Sequence, residues 1–251
     1  MTELPTHFNR VLRRFADDLP RPEYAAKVNA LRELVGRVQA KGLELRLDNE
    51  RDWENAHVLL ELERLAADRG PLKLLDAGGG NGPTAYLLAE AGHDVTVMDV
   101  DRGAISGLEH NAPVMELGER LRAVHGGMGP WPFEGAQFDV VVSISVIEGV
   151  LRSQRAGFFH EAARVLKPEG SLLLTFDYGE GARFVSDAPA SPAEVERDFV
   201  QATPFERVGP AFECAAWHPE VGPPVKAIVP GPDGLDTRVA EYSFGALHLR
   251  R

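Results

Sequence analysis

The chain of 251 residues holds a single cysteine, Cys214, so no internal disulfide can form, and a reducing compartment such as the cytosol is the expected setting. No run of 18 or more apolar residues occurs, so no transmembrane helix is expected. The start, Met1-Thr2-Glu3-Leu4-Pro5, has neither basic residues nor an apolar stretch, so secretion is not expected. Positive charge is scarce: 27 Lys and Arg stand against 38 Asp and Glu, a net charge of −11. Polyanion binding draws its affinity from a basic stripe that neutralises phosphates. Arg10, Arg13, Arg14 and Arg21 are the only candidates, and Asp17 and Asp18 dilute them, so nucleic acid is not the expected partner.

Several chemistries lack their residues. No Cys-x-x-Cys exists and the eight histidines show no ligand spacing, so no metal site is expected. Gly-x-Ser-x-Gly is absent, which argues against an esterase, and no Gly-Lys-Ser/Thr marks a phosphate loop. What remains is an ordinary globular composition, 44% apolar and 26% charged, long enough for one large core.

Three stretches differ in pattern. Residues 1–70 read as helical. Pro22 suits a first helical turn, and Tyr24, Val28, Leu31, Val35 and Val38 recur at helical spacing until Gly42. A second helix is predicted from Trp53 to about Ala67, with Asp52 capping it and Gly70-Pro71 closing it. From Leu72, apolar runs (72–75, 95–98, 140–144, 172–176) alternate with amphipathic stretches. Continuous apolar runs suit strands buried on both faces, and the alternation implies a doubly wound parallel sheet. After Tyr178 the chain is proline-rich. It offers a helix near 192–201, strands near 206–214 and 241–249, and a loop over 219–234. The expected organisation is a helical extension over 1–70 and an α/β domain over 71–251.

The most informative segment is Asp76-Ala77-Gly78-Gly79-Gly80-Asn81-Gly82-Pro83. A buried strand ends in a glycine turn, and Pro83 opens a helix. Bare backbone there lets a ligand approach closely. One strand later, Asp99 ends Val95-Thr96-Val97-Met98-Asp99, a position that suits ribose hydroxyls. A dinucleotide fingerprint needs Gly-x-Gly-x-x-Gly; starting from Gly78 the third glycine is replaced by Pro83, and starting from Gly79 the second is replaced by Asn81. Asp76 also places negative charge where a pyrophosphate would lie. S-adenosylmethionine (SAM) carries a sulfonium and an ammonium and no phosphate, so charge favours it.

Residues 72–178 resemble a class I SAM-dependent methyltransferase of the small-molecule type. The resemblance rests on Leu75-Asp76-Ala77-Gly78-Gly79-Gly80, on Val97-Met98-Asp99-Val100, on Phe138-Asp139-Val140-Val141-Val142-Ser143 running into Val146-Ile147-Glu148, and on Arg164-Val165-Leu166-Lys167-Pro168-Glu169-Gly170. It implies a Rossmann-like, seven-stranded, mostly parallel sheet whose last strand is antiparallel. It further implies that Gly78 and Gly80 approach the methionine part of SAM, and that Asp76 lies near its ammonium group. Asp99 would hold the ribose, Val100 would cover the adenine, and Ser143 would turn its carbonyl toward the ammonium. The family usually shows Gly-Asp-Ala before Trp131-Pro132-Phe133; Gly126-Gly127-Met128 stands here, leaving Gly127 and the Met128 backbone at the adenine edge. Gly127→Asp is therefore expected to tighten SAM by roughly 0.5–1.5 kcal/mol, one added hydrogen bond. Gly149 likewise replaces a histidine common in the family.

Methyl transfer from a sulfonium is an in-line displacement that needs no acid, and a base only for a hydroxyl or protonated amine. No catalytic residue is assigned. His57, Glu148 and Tyr178 lie on segments expected to border the cleft, with packing as an equally good account of each. The expected function is methyl transfer to a small or medium-sized acceptor. Alternatives are another chemistry on the same fold, such as aminopropyl transfer or nicotinamide oxidoreduction, and a non-catalytic SAM-binding module. The N-terminal helices are expected to form a lid, so that deleting residues 1–50 spares SAM binding and abolishes transfer.

Overall fold

The computed structural model describes residues 8–11, 18–45, 49–127, 129–184, 186–213, 225–230 and 237–251. Two helices come first, α1 (Pro22–Ala40) and α2 (Asp52–Arg69). Pro22 starts α1, and Gly42 follows its end at φ 72°, a left-handed turn that few other residues accept. Tyr24, Val28, Leu31, Val35 and Val38 all face inward, as their spacing predicts. Asp52 does not cap α2. A single 3-10 turn, Asn49–Arg51, runs straight into the helix, so Arg51 is the N-cap and the Asp52 carboxylate accepts from Arg32 at 2.7 Å instead.

The alternating part follows as β1 (Lys73–Ala77), α3 (Pro83–Glu90), β2 (Asp94–Asp99), α4 (Arg102–Val114), β3 (Leu121–His125), β4 (Phe138–Ile144), α5 (Arg152–Val165) and β5 (Leu166–Tyr178). The tail adds α6 (Pro192–Val195), a π-helical continuation over Glu196–Gln201, then β6 (Glu206–Arg207), β7 (Val225–Pro230) and β8 (Thr237–Arg250). The sheet order is β3-β2-β1-β4-β5-β8-β6, parallel from β3 to β5, with β8 antiparallel to β5. That is the doubly wound, seven-stranded, mostly parallel arrangement expected.

The tail departs from expectation in one place. Within the predicted loop, Val225–Pro230 is a strand paired with Thr237–Tyr242, which starts β8 four residues early. The β-branched residues of Val225-Lys226-Ala227-Ile228-Val229 favour it, and Pro230 tolerates the last position. The rest of the predicted loop, 219–224 and 231–234, lies outside the described residues. The predicted strand near 206–214 shortens to two residues plus a bridge between Arg10 and Glu213.

Strand residues alternate between two cores. Leu74 and Val140 face the side covered by α1, α2, α3 and α4, with Leu31, Leu34, Leu62, Tyr86 and Leu108. Leu75 and Val141 face the other side, with Phe158 and Phe159 of α5. The N-terminal helices therefore share one core with the sheet, and the change of pattern near residue 70 is not a break in packing.

Candidate active site

β1 delivers the chain to a turn at the carboxyl edge of the sheet, where the neighbouring β2 ends in Asp99. Gly78 takes φ 91°, and a Cβ there would sit 2.5 Å from the Val146 side chain, so glycine is required twice over. Gly80 takes φ 58°, and a Cβ there would stand in ordinary contact with Asp99 Oδ2 at 3.7 Å and Ala104 Cβ at 3.8 Å. Its N–H donates to Asp99 Oδ2 at 2.9 Å, while Asp99 Oδ1 accepts from Asp101 N–H at 2.8 Å. These bonds fix the Asp99 carboxylate at the cavity wall and leave it lone pairs to spare.

A cavity of about 520 Å³ opens over this turn, within the range of small-molecule sites. Asp76, Gly78 and Gly80 form its floor, Asp99 and Asp101 one end, and Ile144 with Ser145 the other. Asp76 is the electrostatic centre. Its side chain is buried, and Oδ1 has no hydrogen-bond partner among the described residues. Burial first, and Asp99 second, push its carboxyl up to about 7. A buried carboxylate in want of a partner fits a cationic ligand and opposes a phosphate. The residues present therefore suit SAM: Asp76 for its ammonium, Asp99 for its ribose, bare glycine backbone between them.

The N-terminal segment supplies the cavity's remaining wall. Asn81 and Asn111 side-chain amides both donate to the Glu44 carbonyl, at 3.1 and 2.8 Å, and Tyr86 hydroxyl donates to Asn81 Oδ1 at 2.7 Å. This holds Glu44 and Leu45 beside the glycine turn. From the start of α2, Asn55 accepts from Thr84 hydroxyl at 2.7 Å, and Arg51 reaches the end of β4. Arg51 pairs with Glu54 at 3.0 Å and Asp177 at 2.9 Å and hydrogen-bonds the Ser145 hydroxyl, which itself donates to Glu54 at 2.6 Å. Ser145 takes φ 52°, a conformation uncommon outside glycine and often found at working sites.

The predicted residues divide. Asp76, Gly78, Gly80 and Asp99 come together in the cavity. Val100 follows Asp99 with 61% of its surface exposed, outside the wall itself, and a Cβ on Gly127 would stand 2.7 Å from its Cγ1. Ser143 is wholly buried and donates its hydroxyl to the Ala77 carbonyl; Ile144 and Ser145 take the wall position beyond it. Met128 lies outside the described residues, as does Cys214. His57 is stacked between Phe8 and Trp53, and Tyr178 is buried beside Phe212, both away from the cavity. Glu148 is buried behind the end of β4. Arg51, Asn55 and Glu44 escaped the sequence reading, because their contacts join helix starts and loops far apart in the chain.

A second constellation resembles a hydrolytic triad. His248 lies 2.9 Å from Ser171 Oγ and 2.9 Å from Glu61. Ser171 and His248 are buried and border no described cavity, so this trio joins β5, β8 and α2 rather than meeting a substrate.

Residues 75–174 match the family model described as "Methyltransferase domain". A probable S-adenosylmethionine-dependent methyltransferase of Mycobacterium tuberculosis is 31% identical over 129 residues, 51% of this chain and 44% of that one. By this likeness the segment 75–174 is a methyltransferase domain, within a chain similar to SAM-dependent methyltransferases. The tRNA 5-carboxymethoxyuridine methyltransferase of Escherichia coli is 30% identical over 124 residues, 48% of this chain and 47% of the relative. The chain thus spans less than half the length of these curated relatives. Among solved structures, the cyclase SpnF matches this methyltransferase fold with a TM-score of 0.57 at 17% identity, over 92% of this chain and 98% of that one. That likeness concerns the fold alone. Among the described residues, no cluster of His, Cys, Asp and Glu is arranged for a metal, and no helix is long and apolar enough to cross a membrane.

Proposed function

We propose that the protein transfers a methyl group from SAM to a small or medium-sized acceptor, in a cytoplasmic setting consistent with its lone cysteine. The observation that carries this reading is the buried Asp76 oxygen under the glycine turn, without a partner among the described residues, with Asp99 one strand away. Asp76 holds the ammonium, and Asp99 the ribose hydroxyls. Gly78 and Gly80 let the methionine part lie against backbone. Val100, Gly127 and Met128 flank the adenine, and Ser143 serves by anchoring the end of β4 to β1. SAM supplies a methyl carbon on a positively charged sulfur. The chain's task is then to align the acceptor and exclude water. Residues 1–70 cover the SAM-binding part, residues 71–251, through the wall formed by Glu44, Arg51 and Asn55, as a fixed wall packed into the shared core rather than a separable lid.

The Escherichia coli relative acts on a tRNA, which raises a second reading. The acids around this cavity, Glu44, Asp76, Asp99 and Asp101, oppose a polyanion and favour a small acceptor. The test is transfer of label from methyl-labelled SAM into a cell extract. Label in small molecules, lost with Asp99→Ala, is expected. Label confined to RNA would favour the second reading, and SAM binding without transfer to any fraction would leave a binding module.

A further inference from the structure

One polar side chain on the cavity wall has no part in holding SAM. Ser145 lines the cavity just past the end of β4, half-buried, with its backbone in the left-handed region. Its N–H donates to Thr175 of β5, to the carbonyl at 3.1 Å and to the hydroxyl at 3.3 Å, which fixes that backbone. Its own hydroxyl donates to Glu54 Oε1 at 2.6 Å, the short distance of a bond to a carboxylate, and accepts from Arg51. A serine oxygen has one proton to give and two lone pairs. Among the described residues the proton and one lone pair are engaged, which leaves one lone pair on a residue of the cavity wall. What meets it must be a hydrogen-bond donor. Glu54 lies behind, outside the cavity and wholly buried, and this hydroxyl links it to the wall.

The place suits the reacting group. Asp99 ends β2, and Asp76 of β1 is paired with Val142 of β4. The chain beyond β4 then folds onto the glycine turn, since a Cβ on Gly78 would meet Val146, the residue after Ser145. With the ribose over β2 and the methionine part over β1, Ser145 stands next along the edge, at the cavity end opposite Asp99 and Asp101. We infer that the acceptor presents a hydroxyl to Ser145, and that Ser145 relays the acceptor's proton to Glu54. The acceptor oxygen bonds to the methyl carbon as the carbon–sulfur bond breaks, its electron pair staying on sulfur. The acceptor's proton passes to Ser145 Oγ while the serine's own proton passes to Glu54 Oε1, so the serine is unchanged and Glu54 ends protonated. An ammonium would put a second cationic donor on an oxygen that already takes one from Arg51, so a neutral hydroxyl fits better. Burial raises the Glu54 carboxyl, Arg51, Ser145 and Thr175 pull it down, and Asp177 raises it further; the net rise helps it keep a proton. Glu148, from the turn after β4, and Tyr242 of β8 also face Glu54, and Arg155 of α5 faces Glu148.

This inference rests on the proposed function, and the experiment separates the two. Protein saturated with S-adenosylhomocysteine is titrated calorimetrically with phenol and ethylene glycol, and with their methyl ethers, anisole and dimethoxyethane, which lack the donor. Benzylamine is the cationic comparison. At least one hydroxyl probe is expected to bind saturably, tenfold or more tighter than its ether. Ser145→Ala should erase that preference and change S-adenosylhomocysteine affinity less than twofold. Methyl-labelled SAM incubated with a cell extract should give O-methyl products by carbon NMR, at a rate tenfold or more lower in Ser145→Ala. Glu54 acts through Ser145 as a positioning residue, so Glu54→Gln should abolish the rise of that rate with pH, which a merely structural role would leave in place. If this variant does not fold, the Ser145→Ala results decide. Absence of hydroxyl binding, tighter binding of benzylamine than of either hydroxyl probe, a preference that survives Ser145→Ala, or methyl found on nitrogen or carbon overturns the inference and leaves the proposed function standing. Failure to bind S-adenosylhomocysteine at all would instead overturn the proposed function.

Discussion

Asp76 and Asp99 are both carboxylates at strand ends, yet their environments assign them different work. Asp99 is tied to two backbone N–H groups and keeps a fixed orientation. Asp76 Oδ1 has no such partner and Asp76 is pushed up to about 7, so the folded chain holds its proton more tightly than the unfolded chain, where an ordinary 3.8 applies. The stability this proton contributes is complete below about pH 4 and is lost as pH rises through about 7. Asp76→Asn is therefore expected to raise the melting temperature of the ligand-free protein at pH 8. A cationic ligand reverses the preference by favouring the carboxylate, so SAM affinity should rise from pH 6 to pH 8 and lose that dependence in Asp76→Asn. Calorimetry at the two pH values checks both. Asp99→Ala should cost about 1.5–3 kcal/mol of SAM binding, the range for a charged hydrogen-bonding group.

The same scale shows where the sequence was readable. Asp76, Gly78, Gly80 and Asp99 lie within one strand–turn–helix–strand unit, so local order carries their geometry. Gly127 was read only by comparison with a motif, without its neighbour. The close approach to Val100 changes the expectation: Gly127→Asp must displace Val100, and titration should show weaker SAM binding rather than the gain expected from one added hydrogen bond.

At the scale of elements, the β-α alternation was legible because each apolar run marks a strand buried on both faces. The wall of the cavity was not. It depends on Asn81 and Asn111, 37 and 67 residues from Glu44, closing on one carbonyl, and no periodicity announces such a clamp. Asn111→Ala should remove one of the two donors at a cost of about 1 kcal/mol. Hydrogen exchange over residues 43–45 should quicken, and SAM affinity should fall severalfold; unchanged exchange would mean the clamp is idle. The shared core also alters the expected effect of deletion. Leu31, Leu34 and Val38 are fully buried in the cluster that includes Tyr86 and Val140. Removing residues 1–50 would uncover that face, so the truncated chain is expected to aggregate.

For the whole molecule, two buried carboxyl oxygens without a hydrogen-bond partner among the described residues, on Asp76 and Glu148, belong to the acid-rich carboxyl edge of the sheet. Asp76 and Glu148, pushed up to about 7 and 8, both weaken the ligand-free fold as pH rises from about 4 to 8. Its melting temperature should accordingly fall across that range, where an acidic protein with ordinary carboxyls would show little change. The central claim is that this edge binds SAM rather than a dinucleotide. Titrating the full-length protein with SAM and, separately, with NAD in a calorimeter tests it most directly. Saturable SAM binding at one site, with no NAD binding, is the predicted result; NAD binding without SAM binding would contradict it.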